Sequence, residues 1–532
     1  MEDFYHTEAR LQPLGLAYLK ATVLSRLPGV EVIIRDFHHR RGRRTIALPA
    51  ELRYLRSYYP QSGGSPLRTF NHFYHFGSSY EEIARAVEVE KPDLVGISSL
   101  FSAYYREVLD TAAAIQARRP VPIVVGGAHA TAVPESLLVH PSIEMVIRGA
   151  GERPLVELLR NWGGAGHLQS VPNLCYKLNG IVVRNRMGEN YPLEELPVPD
   201  FSDWQPGHYC LDGQPLAMIA TSRGCPQQCR FCAVHRIWGP QVERRGAEDV
   251  FQEILLRYRE GYRVIDFEDD HFGGDKAETK ALCQRIADFF PAGEICLTAM
   301  NGISYWHLDQ ELLAMMWRAG FRSLNLSLVS SDDRVGEAQR RPPFLKSFQN
   351  CVEDAHRLGF RITAYPILGL PGESMHSMRQ TLIFLSRLPV RIGPSPFYPV
   401  PGSPLYDNQP GFTGAELVRA RLTAFSQETS DCSRDQLYTL FLTARILNFL
   451  KGLVIPAAEL SLGVLFKEWK SESAKDSLGW ELLQLLLREG ILYVPASKRR
   501  HRLEHFQAEL FFHIWRSLDY IQTIKGQKLR VN

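Results

Sequence analysis

Short apolar runs alternate with longer amphipathic stretches through the first third of the chain. Val32-Ile33-Ile34 is the first run. Asp93-Leu94-Val95-Gly96-Ile97-Ser98 is the second, followed by a helical stretch over 105–118. Pro122-Ile123-Val124-Val125 then ends in Gly126-Gly127, and Met145-Val146-Ile147 ends in Arg148-Gly149. Strands separated by helices in this way predict a parallel, doubly wound sheet. Tyr191-Pro192-Leu193-Glu194-Glu195-Leu196-Pro197-Val198-Pro199-Asp200 breaks the alternation, because prolines at this density fit neither a helix interior nor a central strand.

A second alternating series follows. Strands are predicted over 217–221, 264–267, 295–299, 324–328, 362–368 and 394–399, with helices over 247–260, 276–290, 309–319 and 345–358. Six βα units suit a partial barrel, whose chemistry sits in loops at the C-terminal strand ends. Beyond about residue 410 the period becomes helical, as over 480–487 and 503–515, and no chemical motif or repeat stands out. The expected fold class is therefore α/β. A doubly wound Rossmann-like domain (1–165) and a linker (166–205) precede a partial (β/α)6 barrel (206–410) and a mainly helical C-terminal domain (411–532).

Composition narrows the function classes. A chain of 532 residues exceeds a single core, and 45% hydrophobic with 22% charged residues is an ordinary globular balance. A net charge of +3 gives no general argument for nucleic acid. The basic runs His38-His39-Arg40-Arg41-Gly42-Arg43-Arg44 and Lys498-Arg499-Arg500-His501-Arg502 read as solvated loops. No basic-then-apolar leader opens the sequence, and no stretch of about 18 apolar residues predicts a membrane span. Nine cysteines, of which only three cluster, fit a reducing cytoplasm with one local metal site rather than a disulfide scaffold.

The three lie in Thr221-Ser222-Arg223-Gly224-Cys225-Pro226-Gln227-Gln228-Cys229-Arg230-Phe231-Cys232, after a strand and on a Gly/Pro loop. A closed zinc site or an ordinary iron–sulfur cluster takes four ligands. Either a remote residue completes the set, such as His235 or a distant cysteine in a zinc knot, or one metal position stays open.

The spacing Cys-x3-Cys-x2-Cys, with Phe231 before the last cysteine, resembles the radical S-adenosylmethionine (SAM) superfamily. The resemblance implies that Cys225, Cys229 and Cys232 hold a [4Fe-4S] cluster whose fourth iron is chelated by SAM. It implies reductive cleavage of SAM, with electrons from a donor such as flavodoxin or ferredoxin. Further segments support it. Asp266-Phe267-Glu268-Asp269-Asp270-His271 ends the second barrel strand, where the family receives the SAM amino group, so Glu268, Asp269 and Asp270 are candidates; an exposed acidic turn is the alternative. Gly369-Leu370-Pro371-Gly372-Glu373 looks like the family's turn near the adenosyl group, which marks Leu370. Pro399-Val400-Pro401-Gly402-Ser403-Pro404-Leu405-Tyr406 is similar to the segment closing the last strand in one large branch. That branch usually ends its fourth strand in Gly-x-Glu-Ser, whereas this chain has Ser327-Leu328-Val329-Ser330. Ser327 remains a candidate contact, and Arg340 or Arg341 can pair with the SAM carboxylate through a guanidinium fork.

Over roughly 11–410 the chain resembles cobalamin-binding members of that superfamily. Pro13-Leu14-Gly15-Leu16-Ala17-Tyr18-Leu19 and three strand-end loops carry this likeness. The loops are Ser98-Ser99-Leu100-Phe101, Gly126-Gly127-Ala128-His129-Ala130-Thr131 and Gly149-Ala150-Gly151-Glu152, and ligands sit at such ends in doubly wound sheets. The resemblance thus marks Leu14, Gly15, Ser98, Ser99, Gly126, Gly127, His129, Ala130, Thr131, Gly149, Gly151 and Glu152 as cobalamin-binding. His129 either touches the corrin or its nucleotide tail, or is a hydrogen-bonded loop histidine. Asp36-Phe37-His38-His39-Arg40-Arg41-Gly42 has one residue too many for the motif that places a histidine under cobalt. The expected corrin therefore has no protein histidine ligand, and His38 is expected in an exposed loop. The usual first apolar strand is missing from residues 1–10. The activity implied is methylation of an unactivated carbon or phosphorus centre of a small-molecule or natural-product substrate. A radical cyclisation or rearrangement without methyl transfer is the alternative, as is a non-catalytic cobalamin or iron–sulfur sensor.

Overall fold

Helix α1 (Leu14–Arg26) opens the N-terminal domain, and the apolar runs after it pair as a parallel sheet. Helix α2 (Tyr80–Glu90) starts at a capping box in which the Ser79 and Glu82 side chains bond each other's amides. It leads into strand β1 (Val95–Ser98). Helix α3 (Tyr105–Arg118) joins β1 to β2 (Ile123–Gly126), and the short helix α4 (Ala128–Ala132) lies between β2 and β3 (Met145–Ile147). Val95 stands opposite Ile123, and Val124 opposite Met145, in parallel register. Val108, Ala112 and Ile115 of α3 bury their apolar stripe against Ile123, Val125 and Val146. Helix α5 (Glu152–Arg160) follows β3. The computed structural model describes the whole chain except residues 7–11, 60–64, 68–69, 161, 165–166, 342–343, 409–410, 469–472, 497–498 and 532.

Three expectations are corrected here. Val32-Ile33-Ile34 forms no strand; the Ile34 amide donates to Asp203 Oδ2 at 3.1 Å, so a side chain replaces a strand neighbour. The span 166–205 carries a hairpin, β4 (Leu174–Leu178) and β5 (Ile181–Arg184), which continues the sheet antiparallel to β3. Its turn is Asn179-Gly180, both with positive φ (52° and 79°), the two-residue turn that matches strand twist. His38 is not in an exposed loop: its ring is half-buried, with its centroid 4.4 Å from that of His6. Residues 2–3 do form a strand, but it pairs with Tyr74–Phe76 in a separate antiparallel sheet with Arg43–Thr45. Among the described residues β1 is therefore the edge of the main sheet.

Two compact units make up the chain. The first comprises Met1–Ile46, Tyr74–His271 and Pro399–Ala420, and the second Ala47–Phe73, Phe272–Tyr398 and Arg421–Asn532. In the first, β6 (Gln214–Ile219) is followed by a short helix α6 (Val234–Trp238) and by α7 (Ala247–Arg259). Strand β7 (Val264–Phe267) returns parallel to β6, with Leu216 opposite Val264 and Ile219 opposite Phe267. The βα order continues in the second unit through helix α8 (Lys276–Phe289), strand β8 (Cys296–Thr298) and helix α9 (Gln310–Ala319). Strands β9 (Ser323–Val329) and β10 (Arg361–Leu368), joined through α10 (Leu345–Leu358), are parallel. The register slips between Leu326 and Val329, where Val329 adopts a φ of 71°. Helix α11 (Met375–Ser386) follows β10. The strand expected over 394–399 shrinks to Ser395–Pro396, because the prolines there lack the amide a longer ladder needs.

The C-terminal region is helical around α12 (Arg434–Lys451), which is buried over most of its surface, with α13 (Ala474–Glu489) and α14 (Ala508–Trp515). It also holds a sheet of Glu459–Ser461, Lys528–Arg530 and Tyr520–Gln522. The second basic run is no loop: Arg499–Arg502 pairs with Tyr493–Ala496, while Lys498 lies outside the described residues. In the first run Arg43–Thr45 is an exposed strand rather than a loop. No helix among the described residues is long and apolar enough to cross a membrane.

Candidate active site

The cysteine loop leaves the C-terminal end of β6 and is pinned from the end of β7. Asp269 is buried and accepts hydrogen bonds from the Thr221 amide (2.7 Å), the Thr221 hydroxyl and the Ser222 hydroxyl (2.7 Å). Burial pushes its carboxyl up to about 6, and these donors pull against that rise. Asp270 accepts from the Gly224 amide at 3.0 Å, one residue before Cys225. Solvent reaches Asp270, yet the surrounding protein atoms still raise its carboxyl above the ordinary range. Glu268 is half-buried, and its amide donates to the Ile219 carbonyl at 2.9 Å.

Cys225, Cys229 and Cys232 lie on this loop and form no disulfide. Burial, with added repulsion from Cys229, Cys225 and Asp270, pushes the Cys232 thiol up to about 11. Among the described residues no three His, Cys, Asp or Glu side chains are gathered closely enough to hold a metal ion, Cys225, Cys229 and Cys232 included. His235, which a closed zinc site would draw on, has its Nε2 held 2.6 Å from the Gln227 carbonyl. Three thiols without a fourth on the loop fit an iron–sulfur cluster with one open iron. Residues 399–406 brace the outside: the Leu405 amide donates to the Arg230 carbonyl (2.9 Å), and Arg236 Nε to the Gly402 carbonyl (3.2 Å).

The strand-end loops of the main sheet belong to the same unit. Gly127 has a φ of 113°, and a Cβ there would stand 2.6 Å from the Ser99 carbonyl oxygen, so only glycine lets these turns approach. Thr131 ties two loops together, donating to the Gly127 carbonyl (2.9 Å) and accepting from the Gly149 amide (2.8 Å). Ser98 is exposed. Ser99 Oγ is buried with no hydrogen-bond partner among the described residues, a donor-acceptor left for a ligand. Gly15 has open space beside it, and a Cβ on Gly126 would stand 4.0 Å from the Ile147 carbonyl. This set fits a corrin laid on the strand ends.

Four predicted residues are placed otherwise. His129 is buried with Nδ1 2.9 Å from Ser102 Oγ and Nε2 2.9 Å from Ser136 Oγ, and burial lowers its imidazole to about 4. Both nitrogens are spent inside the domain, so it is the hydrogen-bonded histidine of the two alternatives. Ala130 is fully buried in the core under the sheet. Asp269 holds the cysteine loop instead of facing a ligand. Glu152 turns away from the strand ends to Arg223: their side chains lie 2.8 Å apart, both buried.

That pair joins the two kinds of loop. The Arg223 guanidinium carbon lies over the Tyr18 ring (4.7 Å to its centroid) and the Trp238 ring (4.8 Å). A Cβ on Gly149 would stand 3.3 Å from the Ile237 carbonyl of α6, and one on Gly151 3.1 Å from Leu19. Leu14 packs with Tyr18, Leu193 and Ala220, at the end of β6. Residues 219–385 match the Radical SAM superfamily, and residues 68–159 match the B12 binding domain. The chain carries a B12-binding domain followed by a radical SAM domain.

Among relatives, an uncharacterized methyltransferase of Pyrococcus horikoshii is 28% identical over 318 residues, 59% of this chain and 68% of that protein. The cytidylyl-2-hydroxyethylphosphonate methyltransferase of Streptomyces wedmorensis is 26% identical over 417 residues, 69% of this chain and 72% of that one. The radical SAM methyltransferase TsrM of Kitasatospora setae, solved with tryptophan and a SAM analogue, shares the fold at a TM-score of 0.53 and 17% identity, over 70% of this chain and 68% of that one. A radical SAM domain implies a [4Fe-4S] cluster and SAM, and the B12-binding domain implies cobalamin.

The rest of the radical SAM domain's predicted residues lie in the second unit. Glu373 is buried; its Oε2 accepts from the Gly369 (3.2 Å) and Leu370 (3.3 Å) amides, shaping the turn that the sequence singled out, while the Leu370 side chain is buried. Burial pushes the Glu373 carboxyl up to about 8. Arg340 is exposed with a φ of 54°, so it is Arg341 that turns toward β9: its Nη2 donates to the Ser327 carbonyl at 3.3 Å and its guanidinium lies 4.4 Å from the Trp306 centroid. Sequence reasoning missed Arg223, Tyr18 and Trp238. The one available signal was a lone arginine between two small residues immediately ahead of the first cysteine.

Proposed function

We propose that this protein is a cobalamin-dependent radical SAM methyltransferase that alkylates an unactivated carbon of a small-molecule or natural-product substrate in the cytoplasm. One observation carries the reading: within a single compact unit, the loop bearing Cys225, Cys229 and Cys232 packs on the strand-end turns of the B12-binding domain through Arg223–Glu152 and Gly149–Ile237. The methyltransferase relatives favour methyl transfer among the reactions open to such a pair of cofactors.

In this reading Cys225, Cys229 and Cys232 are the cluster ligands, with Phe231 preceding the last of them. Glu268, Ser327, Arg341 and the main chain at Leu370 are the candidates for SAM. Leu14, Gly15, Ser98, Ser99, Gly126, Gly127, Thr131, Gly149 and Gly151 form the corrin side. Bound together, these groups supply reductive cleavage of SAM and methyl carriage. The protein's own work is positional. Asp269 and Asp270 hold the cysteine loop, the glycines let backbone approach the corrin, and the 399–406 segment bonds to Arg230 and Arg236 beside the loop. A flavodoxin- or ferredoxin-type donor would supply electrons.

Anaerobic reconstitution with iron, sulfide and hydroxocobalamin, followed by reduction in the presence of SAM, tests this. Release of 5′-deoxyadenosine is expected, joined by S-adenosylhomocysteine once a substrate is consumed. No 5′-deoxyadenosine from four-iron protein would sink the radical reading. Substrate consumption without S-adenosylhomocysteine would sink methyl transfer alone.

A further inference from the structure

We propose that the Arg223–Glu152 ion pair is a coupling device: through it, occupation of the corrin side and assembly of the cluster strengthen each other. The inference rests on the reading that the 149–152 turn borders the corrin. Arg223 cannot shift independently of the cysteine loop. Its neighbours Thr221, Ser222 and Gly224 are bonded to Asp269 and Asp270, and Ser222–Arg223 pairs with Glu243–Arg244. Cys225 lies two residues further on. Glu152 cannot shift independently of the corrin-side turn, because it opens α5 directly after Gly149-Ala150-Gly151.

The connection between them is stiff and charged. Arg223 is 8% exposed and Glu152 5%, and the guanidinium carbon lies over both the Tyr18 and the Trp238 rings. Two buried charges are tolerated only while they meet in good geometry, since an unpaired one bears the full desolvation penalty. A displacement of either loop therefore opens the pair. Conversely, a ligand that holds one loop in place also holds the other. Arg223 and Glu152 are positioning residues; neither is assigned a contact with reacting atoms.

Linkage requires the effect to be reciprocal. In the full-length protein, the dissociation constant for hydroxocobalamin is measured anaerobically by equilibrium dialysis before and after reconstitution with iron and sulfide. The wild type is expected to bind the corrin more tightly once iron-loaded, by a factor within the roughly 5–150-fold range of such couplings. Arg223→Lys, which keeps the charge and loses the fork, and Glu152→Gln, which keeps an acceptor and loses the charge, are expected to shrink that factor below about twofold. Both should still load iron and bind corrin. If one variant fails to fold by circular dichroism, the other carries the test. A wild type that binds corrin equally with and without the cluster, or variants that keep the full factor, overturns the proposal. A wild type that binds no corrin at all overturns the parent reading instead, and this one with it.

Discussion

Asp269 clamps Thr221, taking its amide at 2.7 Å and its hydroxyl on the other carboxylate oxygen, while the same oxygen also accepts from Ser222. The clamp spans the ends of two neighbouring parallel strands and sets the direction in which the cysteine loop departs. Asp269→Ala leaves three donors without their acceptor, at about 1–3 kcal/mol for each that stays buried. Lower thermal stability and poor iron loading are expected, with Asp269→Asn in between. If iron loads normally and only SAM binding, followed by calorimetry, is lost, the clamp is not the residue's role.

On the proposed assignment, substituting any of the three thiols removes a cluster ligand. Cys225→Ala, Cys229→Ala and Cys232→Ala should each lose the 4Fe-4S absorbance and reductive formation of 5′-deoxyadenosine, with the fold retained. A variant that still cleaves SAM reductively contradicts the cluster assignment.

His129 is committed to Ser102 and Ser136 on both ring nitrogens. His129→Ala should destabilise the domain by about 1–3 kcal/mol, since the Ser102 and Ser136 hydroxyls each lose a partner, although Ser136 keeps its bond to the Val133 carbonyl. The electron paramagnetic resonance spectrum of bound cob(II)alamin should be the same in wild type and variant, without nitrogen splitting from a protein ligand. Loss of such a splitting in the variant would restore His129 as a cobalt ligand.

Glu373 titrates against burial. Its carboxyl is raised from 4.5 to about 8 in the folded chain, so the folded state holds a proton that the unfolded chain releases first. The stabilisation is fully present below about pH 4.5 and is lost as pH rises toward 8. Urea midpoints should fall over that range, and Glu373→Gln, which stays neutral, should flatten the fall. Parallel curves for both proteins would place the titration elsewhere.

Much of this molecule is legible along the chain. Runs such as Ile123–Val125 and Met145–Ile147 become strands as read, because burial on both faces of a parallel sheet demands continuous apolar residues. Asn179-Gly180 was equally legible, yet the proline-rich stretch after it drew the whole span into a linker. The cysteine spacing named its chemistry because ligands to one cluster must be close in sequence to share a loop.

Other assignments depended on neighbours far along the chain. Glu268, Asp269 and Asp270 are indistinguishable as a string of acids; the packing of β6 beside β7 is what commits Asp269 to Thr221 and Ser222. In the Gly-Ala-Gly-Glu turn the resemblance marks Gly149, Gly151 and Glu152 as ligand contacts, and only the fold pairs Glu152 with Arg223. By itself the sequence determined most of the elements and, through the resemblance its cysteine spacing carries, the expected metal chemistry, since periodicity and ligand spacing are local. The tertiary structure decided which charges face a ligand and which face each other, because the cost of burying a charge depends on the partner that packing brings to it.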